Sequence, residues 1–199
     1  MRHVTFALAL LVATASPAFS TELVLRNTPV EVYFSPRGGA QEAIVEAIGR
    51  AKSAILVQAY SFTSAPIAEA LSKAHKRGVK VEAILDASQR DEKYTGATFL
   101  LNAGIGVTID DEHAIAHNKV MVIDNATVIT GSFNFTKAAE TKNAENLLVL
   151  HDPALARLYK ENWQAHREHA TPYDGPTPAK EKKRQAGTFS AFLHRLWGK

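Results

Sequence analysis

His117 and Lys119 stand two residues apart in Ala116-His117-Asn118-Lys119-Val120-Met121-Val122-Ile123-Asp124, and Gly131-Ser132-Phe133-Asn134 follows within one short strand. On a strand, alternate side chains share a face, so the imidazole and the ammonium point one way while Val120 and Val122 point into the opposite layer. A neutral imidazole is a competent nucleophile toward phosphorus, and a fixed ammonium can hold a non-bridging phosphate oxygen as charge grows on it. A two-residue Asp124-Asn125 turn would reverse the chain into residues 126–130 and return Ser132 and Asn134, two neutral donors, to the side of His117 and Lys119. A nucleophilic histidine also needs its second ring nitrogen held by an acceptor; Glu145, at the entry to the next strand, is the available carboxylate. These groups together suit phosphodiester cleavage without a metal.

The remaining histidines offer less. His113 and His117 are spaced i, i+4 as in a zinc-binding helix, yet Ala114 stands where the metalloprotease pattern needs glutamate, and the stretch reads as loop then strand. His3, His75, His151, His166, His169 and His194 have no patterned partners and read as solvated surface residues. No metal ligand is assigned and no cofactor is expected. The absence of cysteine excludes thiol catalysis and thiolate zinc sites.

The elements that must position the site alternate between helix and strand. Strands are read at residues 30–34, 54–59, 79–85, 106–109 and 146–150, beside the hairpin around Asp124. Between them, Ile44, Val45, Ile48 and Ala51 fall at helical spacing, a second helix carries Pro66 in its first turn and Gly78 past its end, and a third lies around residues 98–102. Asp152-Pro153 forms a cap and first turn for a last helix with Leu155, Leu158, Tyr159 and Trp163 along one face. The pattern predicts a single α/β domain, a mixed sheet flanked by helices on both faces, and contains no internal repeat.

The 199 residues divide unequally. Arg2 and His3 precede an apolar run too short to span a bilayer, and Ala18-Phe19-Ser20 has the small residues a signal peptidase reads. Residues 1–20 are therefore expected to be a signal peptide, 21–170 the domain, and 171–199 a Pro/Gly linker with a basic amphipathic tail. The mature protein is expected to be exported, periplasmic or secreted. The formal charge of +3 is misleading: residues 180–199 hold six Lys/Arg and one Glu, whereas residues 21–179 hold sixteen Lys/Arg against nineteen Asp/Glu. A polyanionic partner cannot be inferred from bulk charge. The tail, with Phe189, Phe192, Leu193, Leu196 and Trp197 at helical spacing, could lie on an anionic membrane as a peripheral contact, on nucleic acid, or on its own domain.

His117-x-Lys119-x-x-x-x-Asp124, Gly131-Ser132-x-Asn134 and Glu145 together resemble the signature of the phospholipase D superfamily, most closely its small, exported, metal-independent bacterial endonucleases. Tyr60-Ser61-Phe62-Thr63-Ser64 is similar to theirs too, and the likeness covers roughly residues 28 to 168. The resemblance implies catalytic roles for His117, Lys119, Asp124 and Glu145, and phosphate binding by Lys119, Ser132 and Asn134. His117 would form a phosphohistidine, a second histidine would protonate the leaving oxygen, and Glu145 would orient His117. Asp124 is the motif's third letter, but its place in a turn favours structural support over proton transfer. Two histidines are needed and the chain carries one motif, so a homodimer sharing its site across the twofold axis is expected. The expected substrate is DNA or RNA cut without sequence preference, because a site that grips only phosphate carries no sequence information. A phospholipase or cardiolipin-type phosphodiesterase is the alternative, and a non-catalytic nucleic-acid or membrane-binding module a weaker third.

Overall fold

The computed structural model describes residues 20–91 and 95–176. The expected signal segment, all but its last residue, and the basic tail lie outside them. The elements follow in the order β1 (Val30–Ser35), α1 (Ala40–Arg50), β2 (Ala54–Ala59), α2 (Ala65–Lys76), β3 (Lys80–Asp86), α3 (Gly96–Asn102), β4 (Gly106–Asp110), β5 (Lys119–Ile123), β6 (Thr127–Gly131), α4 (Lys137–Thr141), β7 (Glu145–His151), α5 (Pro153–His169) and β8 (Thr171–Pro172), with a 3-10 turn at Ala87–Arg90. The strands form one sheet in the order β1-β7-β6-β5-β2-β3-β4-β8. β2, β3 and β4 are parallel, joined through α2 and α3, and every other pairing is antiparallel.

The two periodicities sort the side chains into layers. Along β2, Ile55, Val57 and Ala59 pack with Ile44 and Ile48 of α1 and Ile67 and Leu71 of α2, while Leu56 turns to Ala156 and Trp163 of α5. The central strands are thus apolar on both faces, as a sheet covered on both sides requires. Full burial of each of the Ile, Leu and Val side chains contributes about 1.5–3 kcal/mol. Trp163 crosses the layer to donate its indole N–H to the Val57 carbonyl at 2.9 Å. The cap of α5 forms as its sequence requires, with the Leu155 amide donating to Asp152 Oδ1 at 2.8 Å and Pro153 in the first turn.

The body does not stop at residue 170. Thr171 and Pro172 pair with Ile109 and Thr108, the Tyr173 amide donates to the Val107 carbonyl at 3.0 Å, and the Tyr173 ring is buried. The Thr-Pro-Tyr run reads as a linker by composition, but its tyrosine hydroxyl reaches Thr98 Oγ1 at 2.8 Å and the segment closes the sheet. No helix among the described residues is long and apolar enough to cross a membrane.

Candidate active site

The parallel strands β2, β3 and β4 end at one edge of the sheet, where β5 begins, β6 ends and β7 begins. The C-terminal edge of parallel strands is where open α/β sheets place their sites. Here it gathers Lys119, Ser132, Asn134 and Glu145, with His117 in the segment two residues before β5 begins.

Lys119 is 6% exposed, opposite Ala59 on the layer of α1 and α2, and its ammonium donates to the His117 carbonyl at 2.6 Å. The ammonium also lies 5.0 Å from the centre of the Tyr60 ring, and the His117 imidazole leans on that ring at 4.6 Å. Tyr60 therefore forms a common wall that fixes the spacing of imidazole and ammonium. Its position is secured by its own amide, which donates to the Asn118 carbonyl at 2.8 Å. From the other side, Asp86 at the end of β3 accepts the Ala116 amide at 2.7 Å, pinning the backbone one residue before His117. Neither Tyr60 nor Asp86 belongs to the His-x-Lys pattern. The only trace of Asp86 in the sequence is a carboxylate closing an apolar strand.

Burial pushes the Lys119 ammonium below the basicity of a free lysine, against the opposing charges of Glu145 and Asp86. A lysine that clamps phosphate works only when protonated, so kcat/KM falls as pH rises through this lowered pKa. The alkaline limb of a pH–rate profile is therefore expected below the value for free lysine. A limb at or above that value would exclude Lys119 as its source.

The loop after β6 presents the neutral donors. The Ser132 and Phe133 amides donate to the Asn146 carbonyl at 3.1 and 3.2 Å, and Ser132 Oγ accepts the Asn146 amide at 3.1 Å, leaving its hydroxyl proton free to donate outward. Gly131 is required: a Cβ there would sit 2.3 Å from the Asn146 oxygen, at φ +145°. Phe133 and Phe135 are fully buried and anchor the loop, while Asn134 keeps a buried Oδ1 without a partner among the described residues.

Two of the expected site residues have partners outside the cluster. Asp124 sits just past the far end of β5, roughly 16 Å from Lys119 by strand rise, away from the other motif residues. Its carboxylate accepts the amides of Lys52, Ser53 and Ala54 and the Ser53 hydroxyl at 2.7–3.0 Å, tying the β5–β6 turn to the start of β2. Burial opposes its charge, but these hydrogen bonds hold its carboxyl below the usual carboxylate range. Glu145 is where the motif requires, yet within one chain it accepts from Asn143 at 3.0 Å and no side chain among the described residues hydrogen-bonds the His117 ring. Its electrostatic action in the chain falls on Lys119.

An exposed imidazole, a buried ammonium and neutral donors lie together at the open edge of a mixed sheet, a set suited to phosphodiester hydrolysis. Residues 44–167 match the family described as "Cardiolipin synthase, PLD-like domain". The chain is 45% identical over 139 residues to a "Phospholipase D" of Rickettsia felis, covering 70% of each, and 28% identical to the human "Mitochondrial cardiolipin hydrolase" over 76% of this chain and 64% of that one. The solved structure of the phospholipase D family member Nuc from Salmonella typhimurium aligns with a TM-score of 0.71 and 41% identity, over 74% of this chain and 99% of Nuc. The chain belongs to the phospholipase D superfamily.

Proposed function

We propose that the protein is an exported, non-specific endonuclease that acts as a homodimer through a phosphohistidine intermediate. The observation that carries the reading is that His117, Lys119, Ser132 and Asn134 gather at an exposed sheet edge while no second histidine among the described residues joins them. A ring nitrogen of His117 attacks phosphorus, Lys119, Ser132 and Asn134 hold the non-bridging oxygens, and the leaving alkoxide takes a proton from a second histidine. That histidine, now neutral, removes a proton from water, which attacks phosphorus and releases His117. No other histidine of the chain has a lysine two residues on, so the second copy of His117 comes from a second subunit.

An uncovered apolar stripe supports such a partner. On the α5 face of edge strand β1, Val30, Val32 and Phe34 are 45%, 52% and 68% exposed. Phe34 pairs with Asn146, the residue that holds the Ser132 loop, so the stripe runs up to the phosphate grip. An apolar strip at an unpaired edge is a typical place for a self-complementary contact.

The nuclease reading rests on an open site suited to gripping phosphate, with no base-reading element among the described residues. The names of the Rickettsia and human relatives favour the second reading, a lipid phosphodiesterase. Incubating the protein in EDTA, well below its melting temperature, with plasmid DNA, RNA and anionic vesicles separates them. Plasmid nicking by wild type but not by His117→Ala supports the nuclease, and headgroup release without nicking replaces it with the lipid enzyme. Binding without turnover would leave a non-catalytic module. In the same assay, an excess of His117→Ala chains is expected to lower activity per wild-type chain once subunit exchange is verified. Full retention would exclude the shared site.

A further inference from the structure

Three histidines that look unrelated in the sequence converge on one carboxylate. Asp110, the last residue of β4, is fully buried. His166 Nδ1 lies 2.7 Å from its Oδ2, His113 Nδ1 3.0 and 3.1 Å from its two oxygens, and His169 Nε2 3.3 Å from Oδ2. His166 and His169 sit three residues apart near the end of α5, so they share a face, and His113 comes from the loop between β4 and β5. The three rings lie 4.8–5.4 Å apart by centroid, and the four ligating atoms all lie within 4.8 Å of one another.

We propose that Asp110, His113, His166 and His169 form a structural binding site for a divalent transition-metal ion, best suited to zinc, separate from the catalytic residues. Three imidazoles and one carboxylate are a borderline-soft N/O set of the number that a closed tetrahedral zinc site uses. Bonds of about 2.0–2.1 Å place tetrahedral ligand atoms about 3.3 Å apart, the range in which the Asp110 oxygens already hold the three nitrogens. Closing the wider nitrogen pairs takes movement of His113, whose side chain is 46% exposed.

Two further observations point to a ligand. His169 Nε2 is buried and aimed at Asp110, yet it has no hydrogen-bond partner among the described residues. A metal bond would satisfy it. The other nitrogen of the same ring lies 3.7 Å from Glu112 Oε2, the outer carboxylate that commonly orients a metal-bound histidine.

The site lies three strand spacings from Lys119 across β3 and β2, about 14 Å, too far to touch the phosphate held there. Its consequence is mechanical. It joins the end of α5 to the loop that runs from Asp110 to His117, whose other anchor is Ala116 on Asp86. The metal therefore stabilises the fold and stiffens the approach to the nucleophile, leaving the chemistry to His117 and Lys119.

The test uses protein stripped with chelator, desalted, and titrated with zinc alone. One ion per chain is expected, with a rise in Tm of roughly 8 °C at a hundredfold excess over Kd. Cobalt(II) is expected to give the intense visible bands of tetrahedral coordination. His113→Gln and His169→Gln, at partly exposed side chains, are expected to fold, to lose the cobalt bands and to lose at least about tenfold in zinc affinity. Failure of zinc to raise Tm, octahedral cobalt spectra, or unchanged affinity in both variants would each overturn the site. None of these readouts depends on nucleic-acid hydrolysis, so the site and the proposed activity stand or fall separately.

Discussion

His117→Ala is expected to lower kcat at least about 10⁴-fold while Tm stays within about 1 °C of wild type. The two halves of this expectation have separate causes. His117 is exposed, lies outside the strand ladder, and touches the protein chiefly through the Tyr60 ring, so removing it leaves no buried cavity. In the proposed reaction it is the group that forms the bond to phosphorus. Lys119, Ser132 and Asn134 would still bind phosphate in the variant, and KM is expected to move far less than kcat. Substrate binding by the variant, measured without turnover, checks this directly. Residual activity above about one part in a hundred, with wild-type binding, would mean that water is activated elsewhere and that His117 only positions the phosphate.

The site was legible to the extent that its chemistry is local in the chain. His117 and Lys119 declare themselves because two polar residues interrupt an apolar strand at alternate positions, and the hairpin that returns Ser132 and Asn134 follows from a two-residue turn. The fold's alternation was legible for a similar reason: each strand and helix carries its own period. What stayed hidden depends on the order of strands. Tyr60 meets His117 because β2 lies beside β5, and Asp86 meets Ala116 because β3 lies next to β2. His113 and His166 are 53 positions apart and come together because α5 ends beside β4. Read singly, each is a polar residue near the surface; only the tertiary fold makes them a cluster. Thr171–Pro172 was hidden by composition, since a two-residue edge strand containing proline has no periodicity to display.

The second large effect is expected on stability, at a residue whose letter belongs to the catalytic motif. Asp124→Ala is expected to lower stability by about 3 kcal/mol, roughly 10 °C in Tm, and to leave kcat at 25 °C within about threefold of wild type. Asp124 holds four donors at the N-terminus of β2, and its backbone is left-handed at φ 53°. Alanine loses every acceptor and adds about 1 kcal/mol of conformational strain, although water reaches the exposed amides of Lys52 and Ser53 and limits the loss. Asp124→Asn keeps a short acceptor and tolerates the left-handed backbone, so its cost is expected to be only about 1 kcal/mol. The pH dependence has a definite sign. The folded-state pKa of Asp124 is depressed, so its contribution is fully present above the unfolded value near 4 and is lost as pH falls through the folded value. The Tm gap between wild type and Asp124→Ala is therefore expected to narrow in acid, and thermal melts between about pH 3 and pH 7 measure it. A large loss of kcat with an unmoved Tm would instead return Asp124 to the reaction, against its hydrogen bonds and its place at the opposite end of β5.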